Sequence, residues 1–264
     1  MTDETTPSRR MGRFVPRLVA EWDLDAPGQS WRALDGSLLL VDISGFTNLS
    51  ERLARRGRIG AEELTDVLDR VFGTMLGLAY DRGGVLLKFG GDALLLLFRG
   101  DHHANQAASA AVEMRAALRE AATIPTSVGR VPLRMSVGVH SGIVHLFRVG
   151  VSHHELVVAG PAASTTTAME HAAGPGQIVI SDATRALLSP GAADLPQGPG
   201  WRLRWRRPKV GASQPIASRP VGPETIARCI PLALRAHLAD ASGEPEHRAA
   251  TVGFVRFRGI DQLM

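Results

Sequence analysis

The chain has 264 residues, 44% hydrophobic and 21% charged, which suits one large globular domain with a core and excludes a disordered chain. Cys229 is the only cysteine, so a disulfide scaffold and a cysteine-based zinc site are both excluded. The net charge of +4 is uneven: residues 1–190 carry 19 basic and 20 acidic side chains, residues 191–264 carry 11 and 6, so the high pI makes no case for nucleic-acid binding.

In chain order, residues 1–35 read as an N-terminal leader whose FVPRLV and SWRAL pieces pack on the body. Its polar start, MTDETTPSRR, has no secretory pattern, and no apolar run approaches the roughly 18 residues that cross a bilayer. The expectation is a cytoplasmic protein without a membrane partner. The run 37-SLLLVDI-43 reads as a buried strand bounded by Gly36 and Gly45. Thr47 fits an N-cap for a helix running to about Arg55. From Gly60 to Tyr80, apolar residues recur at three- and four-residue spacing, as on a long amphipathic helix. The runs 84-GVLLKF-89 and 92-DALLLLF-98, joined by Gly90-Gly91, predict a hairpin. An Ala-rich helix is predicted over 101–122, and strands over 133–142, 143–149 and 154–160. Pro161 opens a helix that Gly174-Pro175-Gly176 ends. The strand 177-QIVIS-181 and a short helix from Asp182 close a body spanning 36–190.

Residues 191–247, rich in Pro, Gly and Arg, read as a linker. Within it, 201-WRLRWRR-207 fits an edge hairpin with one Arg-rich solvated face, or a surface for nucleic acid or acidic lipid. The segment 252-VGFVRFRGI-260 resembles 38-LLLVDISGF-46, with Arg256 where Asp42 stands. Residues 248–264 therefore read as the start of a second, similar domain, against chance similarity of two short strands.

Two carboxylates stand out. Asp42 ends an apolar strand, and Asp92 follows two glycines before another. A carboxylate in such a setting is costly unless paired or metal-bound. Aspartates at the ends of adjacent strands can hold Mg²⁺ with positions open for phosphate oxygens. The loop 43-ISGFT-47 offers backbone N–H groups at a helix start, which suits phosphate. On spacing alone, Asp42 as a helix cap and Asp92 as a turn residue fit equally well.

The runs LLLVDISGFTNLSERL and GGVLLKFGGDALLLLF together resemble the class III adenylyl/guanylyl cyclase domain. The resemblance is nearest to the first of the tandem halves in the soluble, bicarbonate-responsive type. It continues through VGVHSGIVHLF, HELVVAGPA and AAGPGQIVIS. Diguanylate cyclases also carry a GGD but follow it with Glu-Phe, where this chain has Ala93-Leu94; that reading is a distant alternative. The resemblance implies an α+β, ferredoxin-like cyclase fold: a mixed, largely antiparallel sheet with helices on one face. It implies ATP as substrate, Mg²⁺ or Mn²⁺ as cofactor, and cyclic AMP and pyrophosphate as products. Asp42, the Ile43 carbonyl and Asp92 match its metal ligands. Ser44, Gly45, Phe46 and Thr47 match its triphosphate loop. Lys88 matches a lysine that reads the purine in some halves and helps hold bicarbonate in others.

The departures are as informative. Family sites form between two halves, one of which supplies an Asn and an Arg. Anchored on Gly160, Met169 and Glu170, those positions are Ser164 and Ala168 here. The purine-reading position is Val157, and the bicarbonate-binding Arg position is Thr167. No catalytic set is intact, so the isolated chain is expected to turn over little. A complementary half, in trans or in a longer native chain, is the expected partner. The alternative is a degenerate, non-catalytic cyclase-like module for nucleotide sensing or dimerisation. Lys88 is read either as paired with a carboxylate or reaching solvent, or as the remnant of an anion pocket. The triplet 101-DHH-103 echoes a phosphoesterase motif without its partner clusters and reads as surface polar. His140, His145, His153 and His154 read as strand and turn residues rather than a metal site.

Overall fold

The computed structural model describes residues 7–121, 126–129, 133–206, 210, 217–240, 259 and 261. The elements begin with helices α1 (Pro7–Gly12), α2 (Arg17–Ala20) and α3 (Trp22–Asp25), then strand β1 (Trp31–Ser44) and helices α4 (Phe46–Ala54) and α5 (Arg58–Tyr80). The hairpin β2 (Gly84–Gly90) and β3 (Ala93–Phe98) is followed by α6 (His103–Ala121), β4 (Arg134–Val149) and β5 (Glu155–Ala159). Next come α7 (Pro161–Ala172), β6 (Ile178–Ile180), α8 (Asp182–Leu187), β7 (Ala193–Gln197), β8 (Gly200–Leu203), α9 (Pro223–Arg228) and α10 (Leu232–Ala239). The fold is α+β with a mainly antiparallel sheet, as the sequence implies.

The chain divides into two compact units. The larger comprises described residues of 34–144 and 162–217. Its strands run in the order β2-β3-β1-β4-β6-β8-β7. β1 and β2 each pair antiparallel with β3, while β4 and β6 pair in parallel. Alternation sorts the side chains. Leu39, Val41 and Ile43 of β1, Val137 and Val139 of β4, and Ile178 and Ile180 of β6 share one core with Val67, Val71 and Met75 of α5. Ala104, Ala107, Ala108 and Ala111 of α6 join that core. Their small side chains let the helix axis approach the strands.

The other face is covered as well, which corrects the expectation of helices on one face. Gly138 alternates with Val137 and Val139, so it faces away from α5 and α6. A Cβ there would collide with the backbone N of Glu170 and the carbonyl O of Thr166, so α7 lies directly against β4.

Several boundaries also move. β1 begins at Trp31, so SWRAL is the start of the strand and not a separate leader piece. The cap of α4 is Gly45, in the left-handed region at φ 93°, and no side chain caps the helix, so Thr47 does not take that role. The hairpin loop is Gly91-Asp92, because Gly90 pairs with Ala93. Residues 134–149 form one strand, not two. Inside the segment read as linker, β7 and β8 complete the sheet, and α9 and α10 follow. β8 lies between β6 and β7, with Leu203 and Trp205 buried, so this piece is not an exposed edge. The proposed second copy at 248–264 lies outside the described residues, apart from Gly259 and Asp261.

The smaller unit comprises described residues of 1–33, 145–161 and 218–264. β5 pairs antiparallel with the 145–149 end of β4. Trp22 is fully buried there and donates its indole N–H to the Gln29 carbonyl at 2.8 Å. The guanidinium groups of Arg32 and Arg148 stack on its ring at 5.5 and 5.6 Å. Glu21, also buried, accepts from Arg17 at 2.8 Å and from Arg219 at 3.0 Å. This pairing ties the 218–240 segment to α2 and α3.

Candidate active site

The site residues of the larger unit gather at the end of β1. Asp42 pairs in register with Ala93, so it lies beside the Gly91-Asp92 turn. Its neighbours Val41 and Ile43 are buried in the core, which turns Asp42 to the face that α7 covers. Burial raises the Asp42 pKa, the nearby Asp92 carboxylate raises it further, and His171 acts in the opposite sense. Asp42 does not cap the helix, since Gly45 occupies that position, whereas Asp92 does lie in the hairpin turn.

A third carboxylate was missed by the sequence reading, where it served only to align α7. Burial raises the pKa of Glu170, and Asp42 raises it further. His171 stands beside it, Nε2 to Oε2 3.8 Å. Helical periodicity carries the signal. Ala162, Thr166 and Met169 form the buried stripe of α7, and Glu170, four residues after Thr166, continues it. Electrostatic reach exceeds ligand distance, however. Among the described residues, no group of three His, Cys, Asp or Glu side chains is close enough to hold a metal ion.

Immediately beyond Asp42, Gly45 turns the chain into α4. The Leu49 N–H is the first to close the helix, on the Gly45 carbonyl at 3.1 Å. The N–H groups of Phe46, Thr47 and Asn48 precede that bond and have no intrahelical acceptor. Gly45 and Thr47 are exposed, while Phe46 packs on the core. Ile43 keeps its side chain in the core, which leaves only its backbone for a ligand role.

Lys88 is placed differently from the expectation of a largely buried strand. The β2–β3 register shifts between Leu86 and Lys88, so alternation fails there. Leu87 is buried, and Lys88 and Phe89 are both exposed. On α7, Ser164 and Thr167 lie on the exposed face, and Thr167 Oγ1 donates to the Ala163 carbonyl at 3.1 Å. Ala168 is partly buried. Val157 belongs to the smaller unit, opposite Phe147 in the β4–β5 ladder.

Two of the histidines, His103 and His140, stand at the ends of one hydrogen-bonded chain. His103 is buried and shares a hydrogen bond with Ser37, Nδ1 to Oγ 2.7 Å, which corrects its reading as a surface residue. Ser37 continues to Ser141 at 2.7 Å, Ser141 to Thr184 at 3.0 Å, and Thr184 to Ser181 at 3.2 Å. Ser181 meets His140 Nδ1 at 2.9 Å, and burial lowers the His140 pKa.

Residues 32–198 match the family described as Adenylate and Guanylate cyclase catalytic domain. The adenylate cyclase type 10 of Rattus norvegicus is 34% identical over 92 residues, which is 34% of this chain and 6% of that protein. The membrane guanylyl cyclase of Dictyostelium discoideum is 26% identical over 157 residues, covering 58% of this chain and 10% of that one. The chain thus matches only a small part of the length of these relatives. Among solved structures, the guanylyl cyclase Cya2 is 27% identical with a TM-score of 0.55, covering 71% of this chain and 97% of its own. The adenylyl cyclase CyaB from P. aeruginosa, at 22% identity and TM-score 0.57, shares the fold over 69% of this chain and all of its own.

Proposed function

Since the chain belongs to the adenylate and guanylate cyclase catalytic domain family, we propose that it is the metal- and ATP-binding half of a class III cyclase, completed by a second half. The observation that carries this reading is the pairing of Asp42 with the Asp92 turn directly before the Gly45 turn into α4. The donor set fits a divalent cation. Two hard oxygen donors stand close enough for the Asp92 carboxylate to disfavour ionisation of Asp42, and a divalent cation relieves that repulsion. Asp42, Asp92 and the Ile43 carbonyl would hold Mg²⁺ or Mn²⁺. When bound, the metal would supply Lewis-acid activation of the ribose 3′-hydroxyl and charge neutralisation on the phosphates.

The chain's own residues do the rest of what this half can do. The open N–H groups at the start of α4 bind the triphosphate oxygens and align the α-phosphorus. The Gly45 turn lets the backbone approach the phosphates without a side chain in the way. The same half supplies no cation for the charge that develops on the phosphates, because Ser164 and Ala168 occupy the Asn and Arg positions. Transfer then depends on a partner bringing those groups.

The test is cyclic nucleotide formation by the purified chain with Mg²⁺-ATP, alone and with a candidate second half that carries the Asn and Arg. Little turnover alone and strong turnover in the mixture, abolished by Asp42→Ala, is the expected pattern. Substantial turnover by the chain alone would contradict the half-site reading.

The substitutions at Ser164 and Ala168 also favour a second reading, a non-catalytic module that binds nucleotide and dimerises. Under it, Mg²⁺-ATP binds but no complementary half restores turnover. Thr167, which stands at the bicarbonate-binding Arg position, points to a weak or absent bicarbonate response in either case. A strong dose-dependent rise that disappears in Lys88→Ala would overturn that expectation.

A further inference from the structure

The larger unit contains a second concavity that shares no residue with the Asp42 site. It is a cleft of about 980 Å³ between α6, the start of β4 and β8, lined by Arg115, Arg119, Arg134, Arg202, Arg204 and Arg206. Among the described residues no Asp or Glu lines it.

Two of the six arginines are engaged. Arg204 pairs with Asp194, and Arg115 donates to the Trp205 carbonyl at 2.5 Å. Arg119, Arg134, Arg202 and Arg206 make no ion pair among the described residues. The crowding has a cost. Arg115 is half-buried, and its pKa is lowered first by burial and then by repulsion from Arg119 and Arg206. Cations held together without a counter-charge favour an anion that spans them.

We propose that this cleft binds a polyphosphate-bearing small molecule of nucleotide size. The guanidinium fork matches phosphate oxygens in pairs, and arginine keeps its charge under all physiological conditions. A triphosphate concentrates about four negative charges over a few bonds, whereas an acidic peptide spreads one charge over each residue, about 3.3 Å along the chain. Only the denser anion satisfies several forks in one cleft. The apolar part of the lining, Trp205 and Leu203 included, gives an organic body a surface to rest on, and the volume is at the upper end of that of small-molecule sites.

The experiment is calorimetric titration of the full chain with sodium tripolyphosphate and, separately, with ATP. EDTA is present so that metal-dependent binding at Asp42 and Asp92 does not contribute. The expected result is one tripolyphosphate per chain, with affinity falling as salt rises. In R119Q/R134Q, which alters two exposed side chains, binding weakens at least about tenfold, as the loss of charged hydrogen bonds implies. R119Q/R134Q leaves Asp42, Asp92 and the open N–H groups at the start of α4 untouched, so this fall in affinity separates the cleft from the proposed catalytic site. R119K/R134K, with the charge retained, binds more tightly than R119Q/R134Q. Melting temperatures without ligand check that all variants fold. Tighter binding of ATP than of tripolyphosphate identifies a nucleotide ligand; equal binding identifies the phosphate chain alone. Affinity unchanged in R119Q/R134Q, or a polyglutamate peptide binding as tightly as tripolyphosphate, would each overturn the proposal.

Discussion

Between Val41 and Ile43, both sealed in the core, Asp42 turns its carboxylate to the other face of the sheet, where burial and Asp92 raise its pKa. Glu170 is raised for the same reasons, with Asp42 as its neighbour. The sign for stability follows. Below about pH 4 these carboxyls are protonated in folded and unfolded chains alike. As pH rises past that value, the unfolded chain ionises first, and the folded chain loses stability until its own raised pKa values are passed. At neutral pH the metal-free fold therefore carries a destabilising pair. Asp42→Asn should raise the melting temperature at pH 7 by no more than about 2 °C, because solvent screening discounts the repulsion at a partly exposed carboxylate. The same variant should lose the Mg²⁺-dependent stabilisation of the parent. Scanning calorimetry with and without Mg²⁺ checks both; a lower melting temperature would mean the carboxylate is structural. Ser37 is the opposite case. It is fully buried and joins His103 to Ser141 at 2.7 Å on each side. Ser37→Ala leaves two buried partners short of a hydrogen bond, and denaturant unfolding should show a loss of about 1–3 kcal/mol.

At the scale of elements, the contact between β4 and α7 places the third carboxylate. Gly138 is required because Thr166 and Glu170 bring helix backbone against the strand. Gly138→Ala should push α7 outward and cost more than about 3 kcal/mol, since backbone on both sides has no room to yield. Because Glu170 moves with the helix, the loss of stability should be joined by a changed acid titration. Unfolding followed between pH 4 and 7 tests this; a variant as stable as the parent would show that α7 is loosely held. Much of this architecture is legible in the sequence. The run LLLV, the 60–80 periodicity and the Gly-rich hairpin each carry one dominant pattern, so β1, α5, β2 and β3 can be read directly. Elements whose residue types conflict with their structure are harder. β7 contains Pro196 and β8 opens on Gly200, so composition argues for a loop while pairing with β6 makes a sheet. The shift between Leu86 and Lys88 cannot be seen from alternation, because it is a break in alternation. The site was half legible. Asp42 and Asp92 stand out against apolar runs, whereas Glu170 sits in a helix of small and hydroxyl residues, where an acidic side chain attracts no notice until the buried stripe is known.

For the whole molecule, the proposed function assigns a division of labour between two halves. One surface of the larger unit keeps the carboxylate pair and the Gly45 turn, while the exposed face of α7 carries the hydroxyls of Ser164 and Thr167 and no cation at those positions. Two copies of this chain, arranged as family halves are, would repeat the same gap in both sites. Restoring the lost groups should therefore let one chain serve both roles. The double variant S164N/A168R changes one exposed and one partly buried position on α7 and leaves the Asp42 pair untouched. If the carboxylates are competent, Mg²⁺-dependent cyclic nucleotide formation should rise at least about a hundredfold over the parent, since a single transition-state donor is worth about 10²–10³ in rate. The rise should depend on the square of protein concentration below the dimer dissociation constant, because each site then needs a partner copy. It should vanish in the triple variant that adds Asp42→Ala. A folded S164N/A168R that binds Mg²⁺-ATP, dimerises and still turns over nothing would shift the balance to the non-catalytic reading, because the missing Asn and Arg would no longer explain the inactivity.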